Sequence, residues 1–231
     1  MPNWVENTVT IKSDDRTQLS NILNDIRTVN DEGIEVWNIA TKLMPMPEEL
    51  SVVFGTGDDT KYIVDVKTNE KISISLDEWF EGKDKTDDER GWYVQEITGK
   101  EREALREKYG ASDWYAWNNR NYGTKWGDCD TRIIDETYDN DRGKVILSFD
   151  SAWGEPFLLL NHIARKYDLT MTNVWDIELG NGNGTTEYPW DDKETQEAID
   201  KTNEMHDQLK GVIADMPTAK EAMKGVDFDV N

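Results

Sequence analysis

The pattern of apolar and polar residues predicts two β-strands joined by a tight turn in the second half of the chain. Lys125 to Ile134 and Lys144 to Ala152 are rich in β-branched and aromatic residues. Between them, Asp139 to Gly143 contains Asp, Asn and Gly, which tolerate the left-handed backbone of a hairpin turn. Together these segments predict a long antiparallel hairpin.

A helix and a further strand follow the predicted hairpin. Apolar residues recur at helical spacing from Phe157 to Tyr167, and Pro156 lies at the first turn, where its missing N–H costs nothing. Leu169 to Leu179 then predicts a strand. Asn181 to Gly184 predicts a tight turn, and Thr185 to Tyr188 predicts a short return strand.

The N-terminal segment supplies the remaining elements. Asn3 to Lys12 predicts a strand, and Ser13 to Asp15 offers a cap for a helix that continues to about Ile26. The order of elements is therefore βαββαβ, the ferredoxin-like arrangement. The predicted fold class is α+β, with an antiparallel sheet, a large insertion after the first helix and an acidic C-terminal helix.

We expect a single elaborated domain over residues 1–231. Its core comprises residues 1–27 and 113–188, its insertion residues 28–112, and its helical extension residues 189–231. Within the insertion, Trp37 to Leu43 predicts a strand. Lys61 to Val66 and Lys71 to Leu76 predict a hairpin, and Lys100 to Tyr109 predicts a helix.

Strong negative charge limits the classes of partner. The 26 basic and 48 acidic residues give a formal charge of -22. Such a surface repels phosphate backbones over about 8 Å at physiological salt, so direct binding of nucleic acid is disfavoured. It also steers association towards basic protein surfaces.

The C-terminal segment concentrates this charge. Asp191 to Ala214 predicts a long helix with a thin apolar stripe. Seven acidic residues are the candidate contacts for a basic partner: Asp191, Asp192, Glu194, Glu197, Asp200, Glu204 and Asp207. The sequence is also compatible with a homodimer.

The sequence contains no recognisable catalytic, cofactor or metal constellation. His162 and His206 lie in different predicted helices, so they do not form a zinc cradle. Cys129 has no histidine near it in sequence, and the Asp139 to Gly143 segment lacks the terminal glutamate of a calcium loop. We therefore expect a protein that is not an enzyme and that needs no cofactor.

The expected compartment is the cytosol. A lone cysteine rules out an intrachain disulfide, and no apolar run approaches the roughly 20 residues that span a bilayer. The Met1 to Trp4 segment lacks the basic and apolar regions of a signal peptide.

Aromatic residues offer one candidate pocket between the sheet and the insertion. Its predicted lining is Trp114, Trp117, Tyr122, Trp126 and Trp153. Because Trp126 and Trp153 lie on consecutive strands of the predicted hairpin, we expect both to be substantially buried and close in space. The strand alternation would then place Ile133 and Ile146 in the core beside them.

Four short motifs resemble those of the YubB ferredoxin-like family. They are Met1 to Trp4 followed by Asn7, Met44 to Leu50, Asn121 to Trp126, and Ser151 to Trp153 before Pro156. Members of that family are carried mainly by plasmids and bacteriophages, so the resemblance implies a ferredoxin-like fold and a mobile-element origin. The chain departs from the family at Val5, usually Cys, and at Gly154 and Glu155, where a second Pro is common.

Charge, resemblance and the missing catalytic groups lead to one functional expectation. The protein should bind and occlude a basic host protein, and a counter-defence inhibitor that imitates the charge of DNA is its concrete form. The expected target is a DNA-handling defence protein. Two alternatives remain, a small-ligand protein or enzyme with a tryptophan-lined pocket, and an RNA-binding ferredoxin-like module.

Overall fold

A computed structural model describes residues 3–30, 32–56, 60–180, 182–201 and 204. The chain forms two compact units, Met1–Pro189 and Trp190–Asn231. In chain order the elements of the first unit are β1 (Trp4–Ser13), α1 (Arg16–Ile26), β2 (Arg27–Val29), β3 (Glu35–Trp37), α2 (Ile39–Leu43), α3 (Glu48–Ser51), β4 (Val53–Phe54), β5 (Lys61–Asp65), β6 (Lys71–Ile72), α4 (Leu76–Gly82), α5 (Asp87–Arg90), β7 (Trp92–Glu96), α6 (Gly99–Tyr109), α7 (Trp114–Tyr122), β8 (Cys129–Asp139), β9 (Arg142–Ala152), α8 (Phe157–Tyr167), β10 (Thr170–Ile177) and β11 (Gly182–Tyr188). In the second unit, residues 192–201 are helical.

The main sheet has the strand order β11-β10-β1-β9-β8, and every neighbouring pair is antiparallel. The four strands β10-β1-β9-β8, with α1 and α8 as connections, reproduce the ferredoxin-like arrangement, and β11 adds a fifth strand. The fold is therefore ferredoxin-like α+β, as the order of elements predicts.

Strand alternation divides the sheet into a core face and an open face. Val5, Val9 and Ile11 of β1 are fully buried on the core face, together with apolar residues of β9 and with α1 and α8. The residues between them, such as Glu6 and Thr8, point to the open face, where exposure is higher. A single sheet thus provides one packed surface and one accessible surface.

The predicted hairpin is confirmed, with a shift in its first strand. β8 pairs with β9 so that Asp139 faces Arg142, which leaves a two-residue turn of Asn140 and Asp141. Asn140 has φ 54°, the left-handed conformation that Asn tolerates. β8 begins at Cys129 rather than Lys125, and two irregularities in its register separate it from an ideal strand.

The prediction of a turn at Asn181 to Gly184 is wrong. The chain turns at Glu178–Gly180, and Gly182 and Gly184 belong to β11. A Cβ at Gly184 would lie 2.6 Å from the Trp175 ring, so glycine makes room for that side chain within the strand.

The insertion builds a second, smaller sheet. β5 pairs with β4 and β6 along one edge and with β7 along the other, which confirms the predicted hairpin of β5 and β6. Trp79 stacks between Phe54 and Trp92 at centroid distances of 4.7 and 5.4 Å. An aromatic cluster therefore adds to the packing of this sheet, whose buried residues include Tyr62, Ile63 and Val64.

The prediction of a strand from Trp37 to Leu43 is also wrong. Only Glu35–Trp37 is a strand, and Ile39–Leu43 is a helix. The Asp128 carboxylate accepts hydrogen bonds from the N–H groups of Ile39 and Ala40, at 2.8 and 2.7 Å. A carboxylate far along the chain thus stabilises the start of α2, and this helix ties the insertion to the core.

Candidate functional site

One end of the main sheet brings together segments that are far apart in sequence. Asn7 in β1 donates a hydrogen bond from Nδ2 to Ser151 Oγ at the end of β9, at 2.8 Å. The ring of Trp4 stacks on that of Trp126, with centroids 5.6 Å apart. Three of the four sequence motifs therefore meet at the start of β1.

The fourth motif joins the same assembly through α7. The Tyr122 hydroxyl donates to the Met44 carbonyl at 2.9 Å, and Tyr122 is buried. The Thr124 hydroxyl donates to the Ala152 carbonyl. Motifs separated by about a hundred residues thus form one connected structure, and we name this end of the sheet the motif end.

A network of polar side chains centred on the Glu155 carboxylate lies on the core face of the motif end. Asn7 and Asn173 are fully buried, and Asn173 Nδ2 donates to Asn7 Oδ1 and to Glu155 Oε2, both at 3.0 Å. Thr186 donates to Glu155 Oε1 at 2.7 Å, and the Tyr188 hydroxyl donates to Glu155 Oε2 at 3.1 Å. Glu155 thereby fixes the loop before α8 to β10 and β11.

Burial keeps the Tyr188 hydroxyl of this network protonated. Burial, followed by the nearby Glu155 carboxylate, raises the pKa of Tyr188 well above its usual value, so its hydroxyl stays a donor. Within the described residues, the buried Asn173 Oδ1 has no hydrogen-bond partner. Every other contact of the network holds a strand or a loop in place, so its role is to position the motif end.

An aromatic surface lies at the same end. The Lys125 ammonium is 4.3 Å from the ring centroid of Trp126 and 5.7 Å from that of Trp114. Trp153 is 54% exposed and has φ 79°, an uncommon conformation for a bulky residue. Large apolar rings at an accessible position are typical of contact surfaces.

The expectation that Trp153 is buried beside Trp126 is therefore wrong. Trp153 follows the end of β9, where the left-handed backbone turns its side chain towards solvent. Ile146 lies on the open face, because the buried residues of β9 are its sequence neighbours Val145 and Leu147. Ile133 faces Leu147 and is half-buried.

The five residues of the candidate pocket occupy different environments. Trp117 and Tyr122 are buried and pack edge to face at 5.3 Å, whereas Trp114 and Trp126 are partly exposed beside Lys125. Two cavities of about 790 and 770 Å³ lie elsewhere, against the α6–α7 connection and at the opposite end of β1. All five aromatics thus belong to the motif end, Trp117 and Tyr122 as packing groups and the other three as surface groups.

The open face at the motif end carries a row of carboxylates that the sequence patterns did not reveal. Glu6 of β1 lies directly opposite Asp150 of β9 on one side and Asp176 of β10 on the other. Neighbouring strands are about 4.8 Å apart, so the three like charges are cross-strand neighbours. We call Asp150, Glu6 and Asp176 the acidic row.

Electrostatics in the acidic row follow from this register. Burial raises the pKa of Asp150, and the carboxylates of Glu6 and Asp130 add to the rise, while Arg132 opposes it. Within the described chain, no ion pair involves any of the three members. The row is therefore a local concentration of negative charge that Arg132 offsets only in part.

Cys129 faces Asp150 and shares this environment. Burial, followed by the charges of Asp128, Asp130 and Asp150, raises the pKa of its thiol to about 11. At neutral pH the sulfur is therefore protonated and is a poor nucleophile.

The candidate acidic helix is helical over residues 192–201. Its acidic side chains are exposed where the structure describes them: Asp191, Asp192, Glu194, Glu197, Asp200 and Glu204. Asp207 lies outside the described residues. The Glu194 carboxylate accepts a hydrogen bond from the Asp191 N–H at 2.9 Å, and the Asp191 carboxylate accepts one from the Glu194 N–H at 2.8 Å, which is the capping pattern of a helix start.

The described ranges contain neither a metal-binding cluster nor a membrane-spanning helix. No group of three or more His, Cys, Asp or Glu side chains there is arranged to hold a metal ion. No described helix has the length and apolarity to cross a membrane.

Comparison with known proteins gives a family match for the C-terminal part of the chain. Residues 121–211 match the family described as the ferredoxin-like domain in Api92-like protein. The matched part contains β8, β9, α8, β10 and β11, and β1 and α1 complete the ferredoxin-like fold. No curated protein and no solved structure matches the chain.

Proposed function

We propose that the protein is an acidic interaction protein that binds and occludes a basic surface of a host protein. The acidic row of Asp150, Glu6 and Asp176 is the observation that supports this proposal. Directly opposed like charges destabilise a sheet by about 0.2–1 kcal/mol per pair. A sheet selected for stability alone would place an opposite charge or a neutral side chain at one of these positions, so the row favours a role in binding.

The surroundings of the acidic row suit a protein partner. Trp153 offers exposed aromatic surface at the same end of the sheet, and aromatic anchors beside charge are frequent in protein interfaces. The overall charge of -22 would accelerate encounter with a basic surface and repel a phosphate backbone. The acidic helix of residues 192–201 supplies further negative charge.

A DNA-handling defence protein of a bacterial host is the target class that we propose. Basic surfaces that bind DNA present the complementary charge, and an acidic protein that covers such a surface would compete with DNA. The motif resemblance to a plasmid and phage family supports a mobile-element origin for such an inhibitor. The same charge makes an RNA-binding role for the open face less favourable.

Affinity capture from a bacterial lysate, with and without added double-stranded DNA, tests this proposal. We expect a DNA-binding protein to be captured at low salt and to be released by DNA and by high salt. Purified target should then lose DNA binding as the acidic protein is added. A captured protein that binds DNA equally well in the complex would contradict occlusion.

A matched pair of variants distinguishes the acidic row from general charge. Glu6→Gln, Asp150→Asn and Asp176→Asn together remove three charges from the row. Glu81→Gln, Asp84→Asn and Asp88→Asn remove three charges from exposed positions in the insertion. Capture should weaken for the first variant and persist for the second, and equal weakening would assign binding to net charge alone.

A further inference from the structure

The two outer strands of the main sheet differ in how their free edges are protected. β8 has two irregularities in its register, and it carries Asp130, Arg132, Asp135 and Glu136. Bulges and charges are the devices by which proteins prevent another chain from pairing with an edge strand. The β8 edge is therefore protected against pairing with a strand of another chain.

The β11 edge has fewer of these devices within its described residues. β11 pairs with β10 in unbroken register from Gly182 to Tyr188, and its sequence is Gly-Asn-Gly-Thr-Thr-Glu-Tyr. It contains no Lys, Arg or Pro, and Glu187 is its single charge. Alternate backbone N–H and C=O groups of such a strand point outward and can bind another strand.

We propose that β11 pairs antiparallel with β11 of a second copy of the chain and so joins two five-stranded sheets into one. A two-fold axis at Thr185 would place Thr185 opposite itself and Gly184 opposite Thr186. In the same register, Asn183 lies opposite Glu187 of the second copy, so the single charge of each strand meets an amide rather than another carboxylate.

Side-chain size also suits this self-pairing. Asn183, Thr185 and Glu187 are exposed on the open face, and none of them is large enough to obstruct a neighbouring strand. Tyr188, the largest residue of β11, is buried in its own core and would face Gly182 of the second copy. The strand is thus compatible with itself at every position of the register.

The dimer should respond to salt in the opposite sense from binding of a basic partner. Each copy carries a formal charge of -22, so repulsion between copies opposes association at low ionic strength. Added salt screens this repulsion and should strengthen the dimer, whereas it weakens attraction to a basic surface. The inference does not depend on the proposed function.

Sedimentation equilibrium of the full chain over a range of concentration and salt tests the dimer. We expect the average mass to rise from 26.7 kDa towards twice that value, and to rise further at higher salt. Because one strand pair buries a small interface, dissociation should be observable in the micromolar to millimolar range. A monomer under all of these conditions would overturn the proposal.

Two lysine variants locate the contact. Thr185→Lys places like charges opposite each other at the two-fold axis and should weaken dimerisation about tenfold or more. Val174→Lys makes the same charge change on the exposed open face of β10, directly beside Thr185 in the monomer but away from the edge. Equal dimerisation by the two variants would exclude the β11 edge.

A cysteine variant tests the register even if the lysine variant folds poorly. In a Cys129→Ser background, Thr185→Cys should form a disulfide-linked dimer under mild oxidation, since the two sulfurs would lie across adjacent strands. Val174→Cys is the control and should not form a disulfide-linked dimer, because residue 174 lies away from the β11 edge. Circular dichroism of each variant verifies the fold, and failure of Thr185→Cys to cross-link would contradict the two-fold axis at Thr185.

Discussion

Glu6 and Asn7 are consecutive residues of β1, and their side chains point to opposite faces of one sheet. The polar groups around the two side chains differ. Asn7 is buried, and its amide joins β9 and β10 through hydrogen bonds to Ser151 and Asn173. Glu6 is exposed between two carboxylates, Asp150 and Asp176. The buried face pairs the Asn7 amide with neighbouring strands, whereas the open face places like charges side by side.

The buried face therefore stabilises the motif end, whereas the open face is the surface that a partner can contact. A buried polar group without a hydrogen-bond partner inside the protein costs free energy, because water cannot reach it. An exposed carboxylate is solvated, so a row of like charges costs little enough to be kept for binding. Substitutions on the two faces should therefore have effects of different size and opposite sign on stability.

The largest expected effect is on the buried face. Asn7→Ala removes the donor to Ser151 and the acceptor of Asn173, and it leaves buried polar groups unsatisfied. The free energy of unfolding should fall by about 3 kcal/mol. Thr8→Ala, on the open face at the next position, should change it by less than about 0.5 kcal/mol. Urea denaturation measures both, and equal losses would contradict the distinction between the faces.

The next largest effect is the loss of unfolding free energy when a tryptophan of the motif end is replaced, and it should be larger for a buried than for a partly exposed one. Trp117 is 7% exposed, whereas Trp126 is partly exposed and rests on Trp4 and Lys125. We expect Trp117→Ala to cost about 4 kcal/mol and Trp126→Ala about 2 kcal/mol. Thermal and urea unfolding of the two variants check the order, and a reversed order would place Trp126 in the core.

The sequence pattern predicts an element correctly where the local residue preferences agree with the tertiary packing. The helix from Phe157 to Tyr167 has the predicted bounds, since its apolar spacing matches the face that packs on the sheet. The hairpin turn at Asn140 uses a residue that tolerates the left-handed backbone. In both cases the neighbouring residues determine the structure.

The secondary structure predicted from the sequence is wrong where a contact with a distant residue determines the local structure. The start of α2 is stabilised by the Asp128 carboxylate. Gly184 lies within a strand, where the Trp175 ring occupies the space that a side chain would need. α7 was not expected, because the aromatic and polar residues of Trp114–Tyr122 do not show a clear helical period. None of these contacts can be read from adjacent residues.

The candidate site was only partly predictable for a similar reason. Trp126 stands out as an aromatic residue in a motif, but the acidic row arises from a register between three strands. With 48 acidic residues in the chain, no sequence pattern distinguishes Asp150 and Asp176 from the others. The Asn7–Asn173 pair likewise joins neutral residues that are ordinary in sequence.

A smaller effect of opposite sign is expected on the open face. Asp150→Asn removes a like charge beside Glu6 and should raise the free energy of unfolding by about 0.5–1 kcal/mol near neutral pH. Because the pKa of Asp150 is raised in the folded state, protonation favours folding, and its contribution is lost as pH rises through that pKa. The gain from Asp150→Asn should therefore vanish below the ordinary aspartate pKa of 3.8.

Urea unfolding at several pH values measures this dependence. Asp84→Asn in the insertion is the control, because Asp84 is exposed and its substitution should leave stability within about 0.5 kcal/mol at each pH. Destabilisation by Asp150→Asn near neutral pH would mean that Asp150 has a favourable partner. The acidic row would then lose its interpretation as a concentration of like charge.

The smallest effect on stability concerns the acidic helix, and it decides which of two acidic surfaces binds the proposed partner. Glu197→Lys, Asp200→Lys and Glu204→Lys reverse exposed charges, so the free energy of unfolding should change by less than about 1 kcal/mol. The variant should nevertheless associate more slowly with a basic partner and show a weaker salt dependence, because electrostatic steering acts on the rate of encounter. Stopped-flow association with the captured target, compared with the acidic-row amide variant, separates the two surfaces. Unchanged kinetics for the helix variant and slower kinetics for the row variant would assign binding to the open face of the sheet alone.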